Sequence, residues 1–176
     1  SEGRENHDTE DRDENVCQVC GHMSLVKLSD HSRDHMTRII SHLYLGSKFN
    51  AQNPRELRYH EIQTVINVAW EAQRPCSQEF KYLKYHWDDV PEFDILVEMD
   101  QIVDQIHHEI SEGRNLLVHC AAGKSRSASV VIGYLIKYFK MSFGDAYDYV
   151  KAYRGSIEPN QGFVEQLKKY SSCDEH

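Results

Sequence analysis

His119-Cys120-Ala121-Ala122-Gly123-Lys124-Ser125-Arg126-Ser127 places a thiol, a glycine and an arginine within a span that fits around one oxyanion. Before it, Asn115-Leu116-Leu117-Val118 is an apolar run that predicts a buried strand. After it, Ala128 to Phe139 is apolar nearly all round and predicts a buried helix. The stretch is therefore a strand-loop-helix turn. In such a turn the backbone N–H groups of Ala121, Ala122, Gly123, Lys124, Ser125 and Arg126 point into the loop, beside the positive end of the helix, and bind an anion without a metal. The same field stabilises a thiolate at Cys120.

Gly123-Lys124-Ser125 also reproduces the end of the nucleotide-binding pattern G-x-x-x-x-G-K-[ST]. That pattern needs glycine at position 118, where this chain has Val118, and it gives no role to Cys120 or Arg126. A buried structural cysteine at a strand end is the plainer alternative, since free cysteines are among the most buried residues. It leaves the arginine at position 126 without a purpose.

The pattern H-C-x-x-G-x-x-R, closing on Ser125-Arg126-Ser127, resembles the signature of the cysteine-dependent protein phosphatases in their dual-specificity branch. The resemblance runs from about Ile39 to Tyr170. Ile40 to Ser47 is similar to the opening strand of those domains, Thr64 to Val68 to their second strand, and Ile157 to Phe163 to the start of their last helix. It implies an α/β fold of the protein tyrosine phosphatase type, a central mixed sheet flanked by helices. It also implies hydrolysis of phosphotyrosine and phosphoserine or phosphothreonine through a cysteinyl-phosphate, with no cofactor for catalysis.

The segments between agree with that architecture. Pro54 to His60 predicts a short helix and Tyr82 to Trp87 a third strand. Ile95, Met99, Ile102, Ile106 and Ile110 recur at helical spacing, so Asp94 to Glu112 is an amphipathic helix ended by Gly113. Phe143 to Ala152 and Asn160 to Tyr170 add two further helices. Residues 37–172 then form the catalytic domain, 1–36 a flexible acidic segment, and 173–176 a tail.

Under the resemblance each site residue has a role. Cys120 is the nucleophile, because a thiolate is both nucleophilic and populated near neutral pH. Arg126 holds two phosphate oxygens with its planar fork, and Ala121, Ala122, Gly123, Lys124 and Ser125 complete the substrate cradle. Ser127 donates a hydrogen bond to the sulfur, which matters when the thiolate is expelled. The general acid lies five residues before an Asn or Asp that is followed by Ile or Leu, which selects Asp89 through Asp94-Ile95, with Asp88 the alternative one residue away. Arg154 resembles a family arginine that receives a second phosphate or an acidic residue; the competing reading is a surface arginine paired with Glu158 or Asp148. His119 supports the loop by hydrogen bonding rather than carrying protons, and Asn160 holds loops in place.

Charge and composition narrow the classes of partner. The net charge is −8, and Ser1 to Asn15 alone carries seven acids against Arg4 and Arg12, a solvated tail in composition. An acidic chain is a poor binder of nucleic acid backbones, and no apolar run approaches the ~18 residues of a membrane span. Phosphorylated protein, a kinase included, is the expected partner. Five cysteines in no regular framework point to a reducing compartment, cytoplasm or nucleus. Two other functions stay open: a phosphatase for a non-protein ester (phosphoinositide, RNA 5′-phosphate or phosphoglucan), and a phosphoprotein-binding module with little turnover.

A second pattern lies upstream: Cys17-x2-Cys20 followed by His31-x3-His35, two thiols and two imidazoles that suit a structural zinc. Its central spacing is shorter than the ~12 residues of the common zinc finger, and the usual aromatic is missing. His22 is a substitute ligand, and a linker that merely contains cysteines is the competing reading.

Overall fold

The computed structural model describes residues 16–23, 35–74 and 79–173. The acidic run Ser1–Asn15, His31, Cys76 and the last three residues lie outside them.

The strands are β1 (Thr37–Ile40), β2 (Leu43–Gly46), β3 (Ile62–Ala69), β4 (Lys81–Trp87) and β5 (Asn115–His119). They lie in the order β1-β2-β5-β3-β4, so the strand that ends in the phosphate-binding turn occupies the middle of the sheet. β5 runs parallel to both neighbours, pairing Val118 with Leu45 and Ile66, and His119 with Gly46 and Asn67. Only β1 and β2 pair antiparallel, which makes the sheet mixed.

The helices are α1 (Lys48–Ala51), α2 (Pro54–Tyr59), α3 (Leu96–Ser111), α4 (Arg126–Phe139), α5 (Phe143–Tyr153) and α6 (Gln161–Ser171). Side chains alternate across the sheet with the two-residue period of a strand. Leu43, Leu45, Ile66, Val68, Leu116 and Val118 pack on one face with residues of α3, α4, α5 and α6. Val65 and Leu117 point the other way, against Met36, Ala51 of α1 and Leu57 of α2. Because both faces are covered, the run Leu116-Leu117-Val118 of β5 is apolar without alternation, and the strand is buried from Leu116 to His119.

Helix α4 is buried from Arg126 to Ile136, as its all-round apolar sequence requires. The helix ends follow from local chemistry. Asn53 caps α2 through the Glu56 amide with Pro54 in the first turn, Ser142 caps α5 through the Asp145 amide, and Asn160 caps α6 through the Phe163 amide. Gly113, with φ +75°, follows the end of α3. Among the described residues, no helix is long and apolar enough to cross a membrane.

Two local features depart from the sequence expectation. The single opening strand expected from Ile40 to Ser47 is a hairpin, in which the chain reverses through Ser41 and His42, the latter at φ +70°. Immediately after it, Ser47 and Asn50 form a reciprocal capping box that starts the one-turn helix α1.

At the end of the sheet remote from β5's loop, Glu109 of α3 is fully buried. It accepts hydrogen bonds from Thr64 Oγ1 (2.9 Å), Lys81 Nζ (2.6 Å), Gln105 Nε2 (2.9 Å) and Arg114 Nε, so one carboxylate ties α3 to β3 and β4. Burial pushes this carboxyl up, but the bonds from Arg114, Lys81 and Thr64 outweigh it and hold the pKa at about 2. The Lys81 and Arg114 side chains are part exposed and can return to water when their partner is lost, which moderates the cost. Glu109→Gln should therefore lower the unfolding free energy by about 1–3 kcal/mol, measured by urea denaturation. Since the folded pKa lies below the unfolded value of about 4.3, this contribution is complete above that pH and disappears as pH falls towards 2. The stability gap between wild type and variant should narrow over that interval.

Candidate active site

The turn after β5 is held open from outside. Its carbonyl oxygens are taken by donors around it: Cys120 O by His119 Nδ1 (2.9 Å), Ala121 O by the Lys48 amide (3.0 Å) and Gly123 O by Arg154 Nε (3.1 Å). Lys124 O accepts from the Glu158 amide (2.8 Å), and Ser125 O from the amide and hydroxyl of Ser129 (2.9 and 2.7 Å). With these carbonyls engaged outward, the amides of Ala121, Ala122, Lys124, Ser125 and Arg126 have no acceptor among the described residues. Helix α4 also starts without a side-chain cap. This is a ring of free donors at a helix N-terminus, the arrangement that binds a tetrahedral oxyanion.

Gly123 makes the ring possible. It sits at φ +71°, and a Cβ there would lie 2.7 Å from both the Arg154 guanidinium and the Gly46 carbonyl oxygen.

Cys120 lies at the floor of the loop, 2% exposed. Its Sγ is 3.1 Å from Ser127 Oγ and accepts from the Gly123 amide at 3.3 Å. His119 is wholly buried; desolvation lowers its pKa to about 4, so it is neutral at pH 7. Its Nδ1 donates to the Cys120 carbonyl, which leaves Nε2 deprotonated and without a partner among the described residues.

Arg126 is oriented by a residue that the sequence did not single out. Its Nη1 donates to Glu71 Oε2 (2.7 Å) and to the Trp87 carbonyl (2.9 Å), and its Nη2 to Glu71 Oε1. Hydrogen bonding to this guanidinium holds the Glu71 carboxyl below its usual range. The fork expected to grip phosphate thus spends its outer edge on Glu71, and the buried donor left without a partner is Nε. Glu71 is itself fixed, because Lys84 Nζ donates to the carbonyls of Ala69, Trp70 (3.3 Å) and Ala72 (2.6 Å) across the turn that carries it. Its one sequence signal is position: β3 runs beside β5, so a carboxylate just beyond β3 arrives next to Arg126.

The segment that follows β4 carries Asp88 and Asp89, both exposed. Asn160 Nδ2 donates to Asp89 Oδ1 (2.9 Å), while the Asn160 amide donates to Ser125 Oγ of the loop (3.0 Å). One residue therefore links the Asp89 segment to the phosphate-binding turn. Asp88 has no hydrogen bond or ion pair among the described residues. Helix α6 grips the same segment further along. Gln166 accepts from the Ile95 amide (2.8 Å) and donates to Phe93 O (2.8 Å), and a Cβ on Gly162 would lie 1.9 Å from Pro91 O.

Arg154 requires a correction. It is not a surface partner of Glu158 or Asp148: it is buried. It donates from Nε to Gly123 O and from Nη1 to His35 O (3.1 Å) and Thr37 Oγ1 (3.0 Å). It is a strut beside the loop. At the rim, Ala122 and Lys124 are exposed and Ala121 is half-buried. Of the upstream pattern, Cys17, Cys20 and His35 come together, His22 is not among them, and His31 lies outside the described residues.

Comparison with known proteins gives the same reading. The family model of the dual specificity phosphatase catalytic domain matches residues 43–173. Dual specificity protein phosphatase 18 of Bos taurus is 41% identical over 136 residues, covering 77% of this chain and 72% of that protein. Protein phosphatase Slingshot of Drosophila melanogaster is 38% identical over 138 residues, 78% of this chain, although the chain spans only 13% of Slingshot's length. The crystal structure of the human tyrosine phosphatase-like serine/threonine/tyrosine-interacting protein superposes with a TM-score of 0.74 at 33% identity, over 79% of this chain and 97% of that one. A central cysteine turn, a fold and a sequence match of this extent have one common explanation: the chain belongs to the dual specificity phosphatase family, the cysteine-dependent protein phosphatases.

Proposed function

We propose that Cys120, Arg126, Asp89 and Ser127 perform the two-step hydrolysis of phosphoprotein side chains in this member of the family. The observation that carries the reading is the ring of unpartnered amides above the Cys120 sulfur, a site shaped for a phosphoryl group before any substrate arrives.

In the first step the Cys120 thiolate attacks phosphorus and forms the S–P bond as the P–O bond to the substrate breaks. Asp89 donates a proton to the departing oxygen. Loop amides and Arg126 Nε hold the three equatorial oxygens as charge spreads over them. In the second step Asp89 takes a proton from water, whose oxygen attacks phosphorus, and the S–P bond breaks. Ser127, at 3.1 Å, donates to the sulfur as it leaves as thiolate. Asp89 is preferred over Asp88 because Asn160 ties it to the loop. His119, neutral and buried, keeps a supporting part.

The low rim made by Ala121 and Ala122 suits short phosphorylated side chains as well as phosphotyrosine, and Lys124 supplies one positive charge beside it. A kinase segment phosphorylated on both threonine and tyrosine is a substrate of this chemistry. An intracellular, reducing compartment keeps the nucleophile usable, and the described cysteines, Cys17, Cys20, Cys120 and Cys173, are all unbridged.

The direct test is phosphate release, with no added divalent metal, from peptides phosphorylated on tyrosine, on threonine and on both, beside phosphoinositide vesicles. Peptide turnover is expected; a strong preference for the lipid would overturn the reading.

Four variants follow from the geometry. Cys120→Ser should abolish turnover while retaining phosphopeptide binding by calorimetry, because the hydroxyl preserves the loop but is scarcely ionised at neutral pH. Asp89→Asn should cost ~10²–10⁴ in kcat on phosphothreonine, whose alkoxide leaves poorly, and far less on an aryl phosphate. Asp88→Asn should change neither by much, and the reverse pattern would shift the acid by one residue. Glu71→Gln weakens the hold on the guanidinium, and a misplacement of this kind lowers kcat/KM by up to about 10²-fold. Its inhibition by inorganic phosphate should weaken in parallel.

A further inference from the structure

Outside the catalytic loop, the described residues hold a second concentration of nucleophilic side chains, at the N-terminal end of the domain. Residues 16–23 form a tight hairpin closed by an antiparallel bridge between Val16 and Met23. Within it the Cys17 amide donates to His22 O (2.9 Å) and the Gly21 amide to Cys17 O (2.8 Å), and Gly21 takes φ +76° to complete the reversal. The turn presents Cys17 and Cys20 on one side, both buried, at 7% and 6% exposure. His35, just before β1, meets them there. The three donor atoms lie within 4.8 Å of one another, and Cys17 Sγ is 3.4 Å from His35 Nε2.

We propose that Cys17, Cys20 and His35 bind one zinc ion, and that this ion fastens the hairpin to the phosphatase domain. The separation fits. A tetrahedral zinc with Zn–S of about 2.3 Å and Zn–N of about 2.0–2.1 Å sets sulfur and nitrogen roughly 3.5 Å apart. The donor set also selects the metal, since two thiolates and an imidazole suit zinc and are poor ligands for magnesium, calcium or manganese.

The surroundings give the ion a purpose. A hairpin of this size has too few apolar side chains to hold itself together and needs a cross-link. It is docked on α2 by polar contacts: Asn53 Nδ2 donates to Cys20 O (2.9 Å), Arg55 Nε to Gln18 O (3.4 Å), and a Cβ on Gly21 would lie 2.9 Å from Arg55 Cδ. The third ligand stands on the domain side. The His35 carbonyl accepts from Arg154, and the next residue, Met36, donates its amide to the buried Glu56 (2.7 Å). A metal joining Cys17 and Cys20 to His35 therefore closes a ring of contacts between hairpin, α2 and β1.

The test uses the full chain, purified without chelator under a reducing agent that does not bind zinc. Elemental analysis after exposure to zinc and desalting should find one zinc per chain in wild type and in Cys120→Ser, and none above background in Cys17→Ser, Cys20→Ser or His35→Ala. Replacing zinc with cobalt(II) in the wild-type chain should give the visible bands of tetrahedral cobalt together with thiolate-to-cobalt charge transfer in the near ultraviolet, a readout independent of whether any variant folds. Stripping the metal should lower the melting temperature, and zinc alone should restore it. The proposal is overturned by a wild-type chain that retains no zinc, by cobalt spectra without thiolate charge transfer, by zinc lost only in Cys120→Ser, or by a mass showing Cys17 and Cys20 joined as a disulfide.

Discussion

Everything in this molecule is arranged around the outward pull on the carbonyl groups of one short turn. A peptide chain reversing tightly beside a helix N-terminus would satisfy its own amides if it could. It is prevented because donors from β5, α1, the segment before α6 and Arg154 take the carbonyls from outside. The mixed sheet delivers those donors: β5 is central, so the helix following β2 and the segment preceding α6 both reach its end. The anion site is thus a product of the whole topology, although its sequence is local.

The same logic governs the charged side chains. Arg126 is fixed by a carboxylate after β3 and a carbonyl at the end of β4, and Glu71 is fixed in turn by Lys84 from β4. A long cation that would otherwise sample many rotamers is held in one, with a buried donor unspent. Electrostatic preorganisation of this kind loses its ordering entropy during folding and little when substrate binds.

What the sequence made legible is what nearest neighbours determine. The apolar run into Cys120, the apolar helix after it, the periodic face of α3 and the stop at Gly113 all depend on residues within a few positions. The loop residues Cys120 to Arg126 were equally readable, because their chemistry is contiguous. The illegible parts depend on contacts across long stretches of chain. Glu71 meets Arg126 from 55 positions away, and Arg154 meets His35 from 119. Charge alone makes Arg154 look like a surface residue, and its acceptors Gly123 O, His35 O and Thr37 Oγ1 account for its burial. The reversal at His42 was hidden for another reason, since a non-glycine residue takes the left-handed region in only a few per cent of cases and so advertises it far less than glycine does.

Helix α6 carries a consequence for turnover. Asn160, Gly162 and Gln166 seat the segment bearing Asp89 along most of its length, with backbone so close at Pro91 that no larger residue fits at position 162. To swing away from the loop this segment would have to break those contacts together, so the packing of α6 opposes any large gating motion of it.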